Sequence, residues 1–182
     1  MSVAERTARA GALMRRATYA SIAVAGVMIM VKLVAWLLTD SVSLLSSLLD
    51  SLLDAAASLV NLVAVQQALV PADREHRFGH GKAEPLASLG QAAFITGSAV
   101  LLIIQALQHT LTPQPVSNTG IGIAVMAFAI AVTLILVVYQ RSVVRRTGSL
   151  VVRADEFHYR TDLVLNGSVV VSLLATRWLG WV

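Results

Sequence analysis

Five long apolar stretches, separated by short polar breaks, leave this chain almost no way to fold in water. They cover residues 17–38, 43–69, 85–111, 120–144 and 150–178. Each reaches the ~20 mostly apolar residues that a helix needs to cross a hydrocarbon layer. Five core helices of a soluble protein would leave almost no polar face for water, so spanning helices are the expected solution. Composition agrees. The chain is 57% hydrophobic and 13% charged, against about 45–50% and about 25% for soluble domains. Aromatics supply only 5%, so the apolar excess is Leu, Val, Ala and Ile, which suits helices facing lipid better than β-rich cores. The expected fold class is all-α, a polytopic transmembrane helix bundle, with residues 1–182 as one domain.

Charge placement orients such a bundle. Net charge is +4, but the position of the basic residues matters more than their sum, and nucleic acid is not an expected partner. Arg6, Arg9, Arg15 and Arg16 precede span one. Arg74, Arg77 and Lys82 lie in the loop over residues 70–84. Arg141, Arg145, Arg146, Arg153 and Arg160 flank the turn between spans four and five. The opposite side has Arg177 and Lys32, whose long stem is expected to snorkel outward. The positive-inside rule then makes the N-terminus cytoplasmic, and a bacterial inner membrane is the expected location. The first apolar run is too long for a signal-peptide core. Five spans put Val182 outside, and the sequence reads as truncated there.

With no cysteine, thiolate chemistry is excluded, and any metal must be held by His, carboxylates or backbone oxygen. Span two carries Ser43, Ser47, Asp50, Ser51, Asp54, Ser58 and Asn61 at three- and four-residue steps, a single polar stripe on a helix. Asp50 and Asp54 lie ~6 Å apart along the axis. Two such carboxylates in lipid are expensive unless paired, protonated or bound to a cation. The plain alternative is that both are protonated and hydrogen-bonded to other helices. Span five supplies Asp155, His158, Asp162 and Asn166 on one face, with His158 and Asp162 again four apart. Two helices giving two ligands each can close a four-coordinate site of Asp50, Asp54, His158 and Asp162, which suits zinc and admits other divalent metals. This holds only if span five starts before His158. In the polar loop, Asp73, His76 and His80 form a weaker cluster, with glycines that let the backbone fold around an ion. Solvated histidines are the plain reading there. Lys82 and Glu84 read as salt-bridging or packing residues, and His109 as interfacial. Gly90, Gly97 and Ser98 are expected to allow close helix approach. Span four, nearly featureless apart from Gly120, Gly122 and Thr133, is expected to face lipid on much of its surface.

Three motifs in order, residues 41–54 ending in Ser51-Leu52-Leu53-Asp54, then His76-Arg77-Phe78-Gly79-His80-Gly81-Lys82-Ala83-Glu84, then Asp155-Glu156-Phe157-His158-Tyr159-Arg160-Thr161-Asp162, resemble the cation diffusion facilitator family. The likeness is greatest to its bacterial zinc and ferrous-iron efflux pumps. It covers nearly the whole chain. It implies a six-helix, usually dimeric transmembrane domain followed by a cytoplasmic metallochaperone-like domain, of which the sixth helix and the soluble domain are missing here. It implies metal/proton antiport by alternating access. Asp50, Asp54, His158 and Asp162 match the zinc-type transport site, and Asp73, His76 and His80 the loop site.

The expected function is export of divalent cations, Zn²⁺ first, with Fe²⁺, Cd²⁺, Co²⁺ and Mn²⁺ open. The metal is substrate, with no prosthetic cofactor; the partners are metal ions, protons, the bilayer and a second copy of the chain. Ligands must lose protons to bind metal, and imidazole titrates in the useful range, so His158 suits an exchange. Two other classes compete. A membrane metallohydrolase needs an open coordination position and a general base, and no His-Glu-x-x-His sequence is present. A metal sensor or scaffold would bind metal without flux. An enzyme is therefore not expected.

Overall fold

The computed structural model describes residues 2–40, 42–111 and 119–179, which form five α-helices and, among these residues, no strand. They are α1 (Val3–Thr39), α2 (Val42–Ala68), α3 (Ala83–Leu111), α4 (Thr119–Thr147) and α5 (Leu150–Leu179). Each expected span is one helix. The break expected at Thr112 to Pro115 lies outside the described residues. By length and composition, Glu5–Thr39, Leu44–Ala68 and Gly120–Thr147 are able to cross a membrane. The architecture is an all-α membrane helix bundle.

Local chemistry sets the helix ends. α1 starts at Val3, well before the apolar run, because Ser2 and Glu5 close a capping box. The Glu5 backbone N–H donates to Ser2 Oγ at 3.2 Å, and the Ser2 backbone N donates to Glu5 Oε2 at 2.9 Å. That reciprocal pair satisfies donors that a helix start otherwise leaves open. α1 ends on Asp40 in the left-handed region at φ 50, where its N–H reaches the Trp36 carbonyl. Gly148, at φ 69, ends α4 in the same way, donating to the Val144 carbonyl at 2.8 Å. The left-handed cap satisfies a last-turn carbonyl, and Gly adopts it without strain.

α1 packs mainly on α2 and α4, α4 on α5, and α3 against α2 and α5. At one end, Met14, Ala17, Ala64, Val65, Val143, Val151 and Val152 form a buried apolar cluster. Further along, Leu136, Val137 and Tyr159 form a second. Large apolar side chains such as Leu38, Ile135 and Val164 stay exposed on the outside, as lipid contact requires. Close helix approach occurs at Gly11, where an added Cβ would lie 3.0 Å from the Leu69 side chain. Among the described residues, a Cβ at Gly90 or Gly97 meets nothing within 4 Å, so the close approach expected there is not made within these five helices.

Glu84 joins the α2–α3 loop to the start of α5. Its carboxylate accepts from Ser149 Oγ at 2.9 Å and from the Leu150 backbone N–H at 3.3 Å. It thus acts as a helix cap supplied from outside the helix, a negative group at the positive end of α5. This link and the Gly11–Leu69 contact gather the start of α1, the loop over 69–82 and the α4–α5 turn at one end of the bundle. The arginines around these three segments share that end.

Candidate metal centre

The polar stripe of α2 turns inward, with Ser51, Ser58 and Asn61 almost fully buried. α5 begins at Leu150, two turns before His158, so the condition for the two ligand pairs to meet is satisfied. His158 Nε2 lies 2.9 Å from Asp54 Oδ1 and 3.6 Å from Asp162 Oδ2. One ligand atom from each of Asp54, His158 and Asp162 lies within 4.8 Å of the others. Asp50, one turn before Asp54, is exposed and is not among these converging groups. Packing holds the imidazole in place. Phe94 of α3 meets it edge-on, with centroids 6.0 Å apart, and the Tyr159 ring lies 5.5 Å away. Tyr159 is itself anchored to Ser58 of α2 by a 3.3 Å hydroxyl contact.

The chemistry of this cluster is competitive. The contact between His158 Nε2 and Asp54 Oδ1, 2.9 Å long, is of hydrogen-bond length, so a proton can lie between the two atoms. A divalent cation entering there needs that same nitrogen lone pair and that same oxygen. Binding the cation therefore requires the proton to leave.

Asp155, one turn before His158, does something the sequence did not show. It is 1% exposed, and every other helix reaches it. Oδ2 accepts from Ser21 of α1 at 2.6 Å and from Gln140 Nε2 of α4 at 2.6 Å. Oδ1 accepts from Asn61 Nδ2 of α2 at 3.0 Å and from Gln91 Nε2 of α3 at 3.2 Å. Gln140 also donates to Ser21 Oγ, and Asn61 to Gln91 Oε1. α4 is thus not featureless. It carries the fully buried Gln140, and Thr133 is buried as well. Lys32 is a second correction. It turns inward rather than snorkelling, and its Nζ donates to the Ser47 carbonyl at 3.0 Å and to Ser51 Oγ at 2.6 Å. Two acceptors on the neighbouring helix outcompete the path to water.

The loop brings Asp73, His76 and His80 together within the same 4.8 Å criterion. Asp73 Oδ1 accepts from the backbone N–H of Glu75 and of His76, at 3.0 and 2.6 Å. Those donors, the His76 backbone first, hold its carboxyl below the usual carboxylate range. The His76 and His80 rings lie 4.3 Å apart, and His80 Nδ1 is buried without a partner. Gly79, at φ 76, makes the turn that brings the second ring back. Lys82 and Glu84 form no ion pair among the described residues. Nothing is described of the His109 side chain.

Residues 18–181 match the cation efflux transmembrane domain. The chain is 49% identical over 171 residues to the cation-efflux pump FieF of Citrobacter koseri, and 48% to FieF proteins of Klebsiella pneumoniae and Salmonella paratyphi A. Each of these matches covers 94% of this chain and 57% of the relative. The chain therefore spans a little over half the length of the curated relatives it matches.

Proposed function

The chain belongs to the cation efflux family, and on that premise we propose that it is the membrane-embedded part of a secondary transporter exporting divalent metal cations. The observation that carries this reading is the convergence of Asp54 on α2 with His158 and Asp162 on α5, around one imidazole nitrogen. Asp50, one turn before Asp54 and outside this convergence, is proposed as the fourth and weaker ligand of the metal-loaded site. Nitrogen and oxygen donors without sulfur favour Zn²⁺ and leave Fe²⁺, Cd²⁺, Co²⁺ and Mn²⁺ as further substrates. Protons drive the exchange because metal and proton compete for the same two atoms. The arginine-rich end faces the cytoplasm of a bacterial inner membrane, as the positive-inside rule requires. The family resemblance adds that two copies act as a homodimer. A transporter with no chemical turnover fits a site whose three donor groups converge on one another.

The test is Zn²⁺ flux into proteoliposomes under an imposed pH gradient. Flux that follows the gradient and stops when it is collapsed supports the antiport. Zinc bound without movement, with Fe²⁺ and Mn²⁺ equally still, would replace transport by a sensing role.

The loop cluster is proposed as a second, exposed metal site. Asp73→Ala and His80→Ala should each weaken zinc binding to the loop by about tenfold or more, leaving binding at Asp54 intact. Titration calorimetry distinguishes two sites from one. The pH dependence has a definite sign. The Asp73 carboxyl is depressed by its backbone donors, so its ordering of the loop is present above the ordinary carboxylate value. That ordering is lost only as pH falls through the depressed value. A loop that loses its order above the ordinary carboxylate value would contradict the role given to Asp73.

A further inference from the structure

Lys32 sits on α1, a helix that gives no ligand to the Asp54–His158–Asp162 cluster. It is the only lysine or arginine in residues 17–40, and α2 has none. An ammonium within a spanning helix is costly and usually marks function. Here it is partly buried and fixed by two hydrogen bonds to α2, at Ser47 and Ser51. These two residues flank Asp50 in sequence, and Asp54 follows one turn later. Ser51 adjoins Asp50 and lies three residues before Asp54, so the ammonium is held on the carboxylate-bearing stretch of α2. It forms no ion pair within 4.0 Å with Asp50, Asp54 or Asp162 among the described residues. The lysine is therefore tethered beside the carboxylates without occupying the place of a ligand.

We propose that Lys32 is the fixed counter-charge of the cation site, a tethered ammonium that offsets one of three carboxylates and so sets how tightly a divalent cation is held. The proposal rests on reading the Asp54 cluster as that site. Three ionised carboxylates and one ammonium leave two negative charges. One divalent cation then neutralises the region, whereas a monovalent ion leaves a buried charge unmatched. The same ammonium repels the bound dication at close range, where interior electrostatics are weakly screened. A transporter needs binding that is favourable enough to load and weak enough to release. Charge fixed on a helix without ligands supplies that balance and does not compete for coordination.

The experiment compares Lys32→Met, Lys32→Arg, Ser51→Ala and Asp54→Ala. Equilibrium zinc binding is measured in detergent at pH 8, and KM and kcat are measured in proteoliposomes. Lys32→Met keeps the length of the side chain without its charge and should insert normally; Lys32→Gln serves as a second charge-free variant. Both should bind zinc about tenfold more tightly, with KM and kcat falling together because release slows. Lys32→Arg keeps the charge and should stay close to the parent. Ser51→Ala loosens the tether and should fall between them. Unchanged or weaker zinc binding in both charge-free variants, with binding still lost in Asp54→Ala, overturns the counter-charge alone. Zinc binding that survives Asp54→Ala overturns the site itself and the counter-charge with it.

Discussion

Replacing Asp54 with alanine is expected to weaken zinc binding by more than about a hundredfold and to abolish gradient-driven flux. Loss of a partner that merely orients a ligand costs about 10- to 100-fold in metal affinity. Asp54 is placed closer than that. It shares its Oδ1 with the His158 nitrogen at 2.9 Å, at the centre of the converging groups. Without it, His158 and Asp162 remain as an i,i+4 pair on one helix, and α2 offers only the exposed Asp50 to the other side. Asp50→Ala should do less, within about tenfold, because Asp50 is exposed and one turn removed. Equal losses at the two positions would show that Asp50 is a full ligand in the metal-bound state and that α2 moves to bring it in. No loss at Asp54 would remove the α2–α5 site. Both variants change a side chain that is not fully buried, so an inserted, folded protein is the expected background for either result.

The helices and the three converging ligands were legible because each leaves a periodic trace. Long apolar runs define spans by length alone. Asp54 follows Asp50 by four residues on a helix with no other charge, and Asp162 follows His158 by the same step, spacings that put each pair on one helix face. Other features left no such trace. Ser21, Gln91 and Gln140 are single polar residues on three different helices, and no local pattern says that they meet. The early start of α1 was invisible to hydropathy, although Ser2 and Glu5 have capping-box spacing. For Lys32 the stem allows either direction, and the choice turned on acceptors contributed by α2. Small residues misled in the same way. Gly90 and Gly97 have the size for close packing but meet no neighbour among the described residues, while Gly11, in a polar segment, makes a tight contact. Which face meets which helix is a tertiary property, and a single helix does not encode its partner.

Asp155→Ala is expected to be the most destabilising single change in the bundle, by about 3 kcal/mol. A side-chain hydrogen bond between membrane helices is worth ~0.6 kcal/mol on average and ~1.7 at most. Four such bonds converge on this carboxylate, and alanine also leaves donors buried without an acceptor. Partial rescue limits the loss. Ser21 retains the Ala17 carbonyl at 3.1 Å, Asn61 retains Gln91 Oε1, and Gln140 retains Ser21 Oγ. The thermal midpoint in detergent should fall by roughly 10 °C, on the size scaling that applies to chains of about this length. Asp155→Asn should cost about half as much. Its oxygen still accepts from two of the four helices, and its new N–H₂ finds an acceptor in Gln140 Oε1, which is buried without a partner. A midpoint unchanged in Asp155→Ala would mean that the apolar clusters on either side hold the five helices without this tie. A large fall in the alanine variant, with partial recovery in the asparagine one, would show that a single buried carboxylate fixes the rotation of α5. That rotation sets where His158, one turn later, meets Asp54.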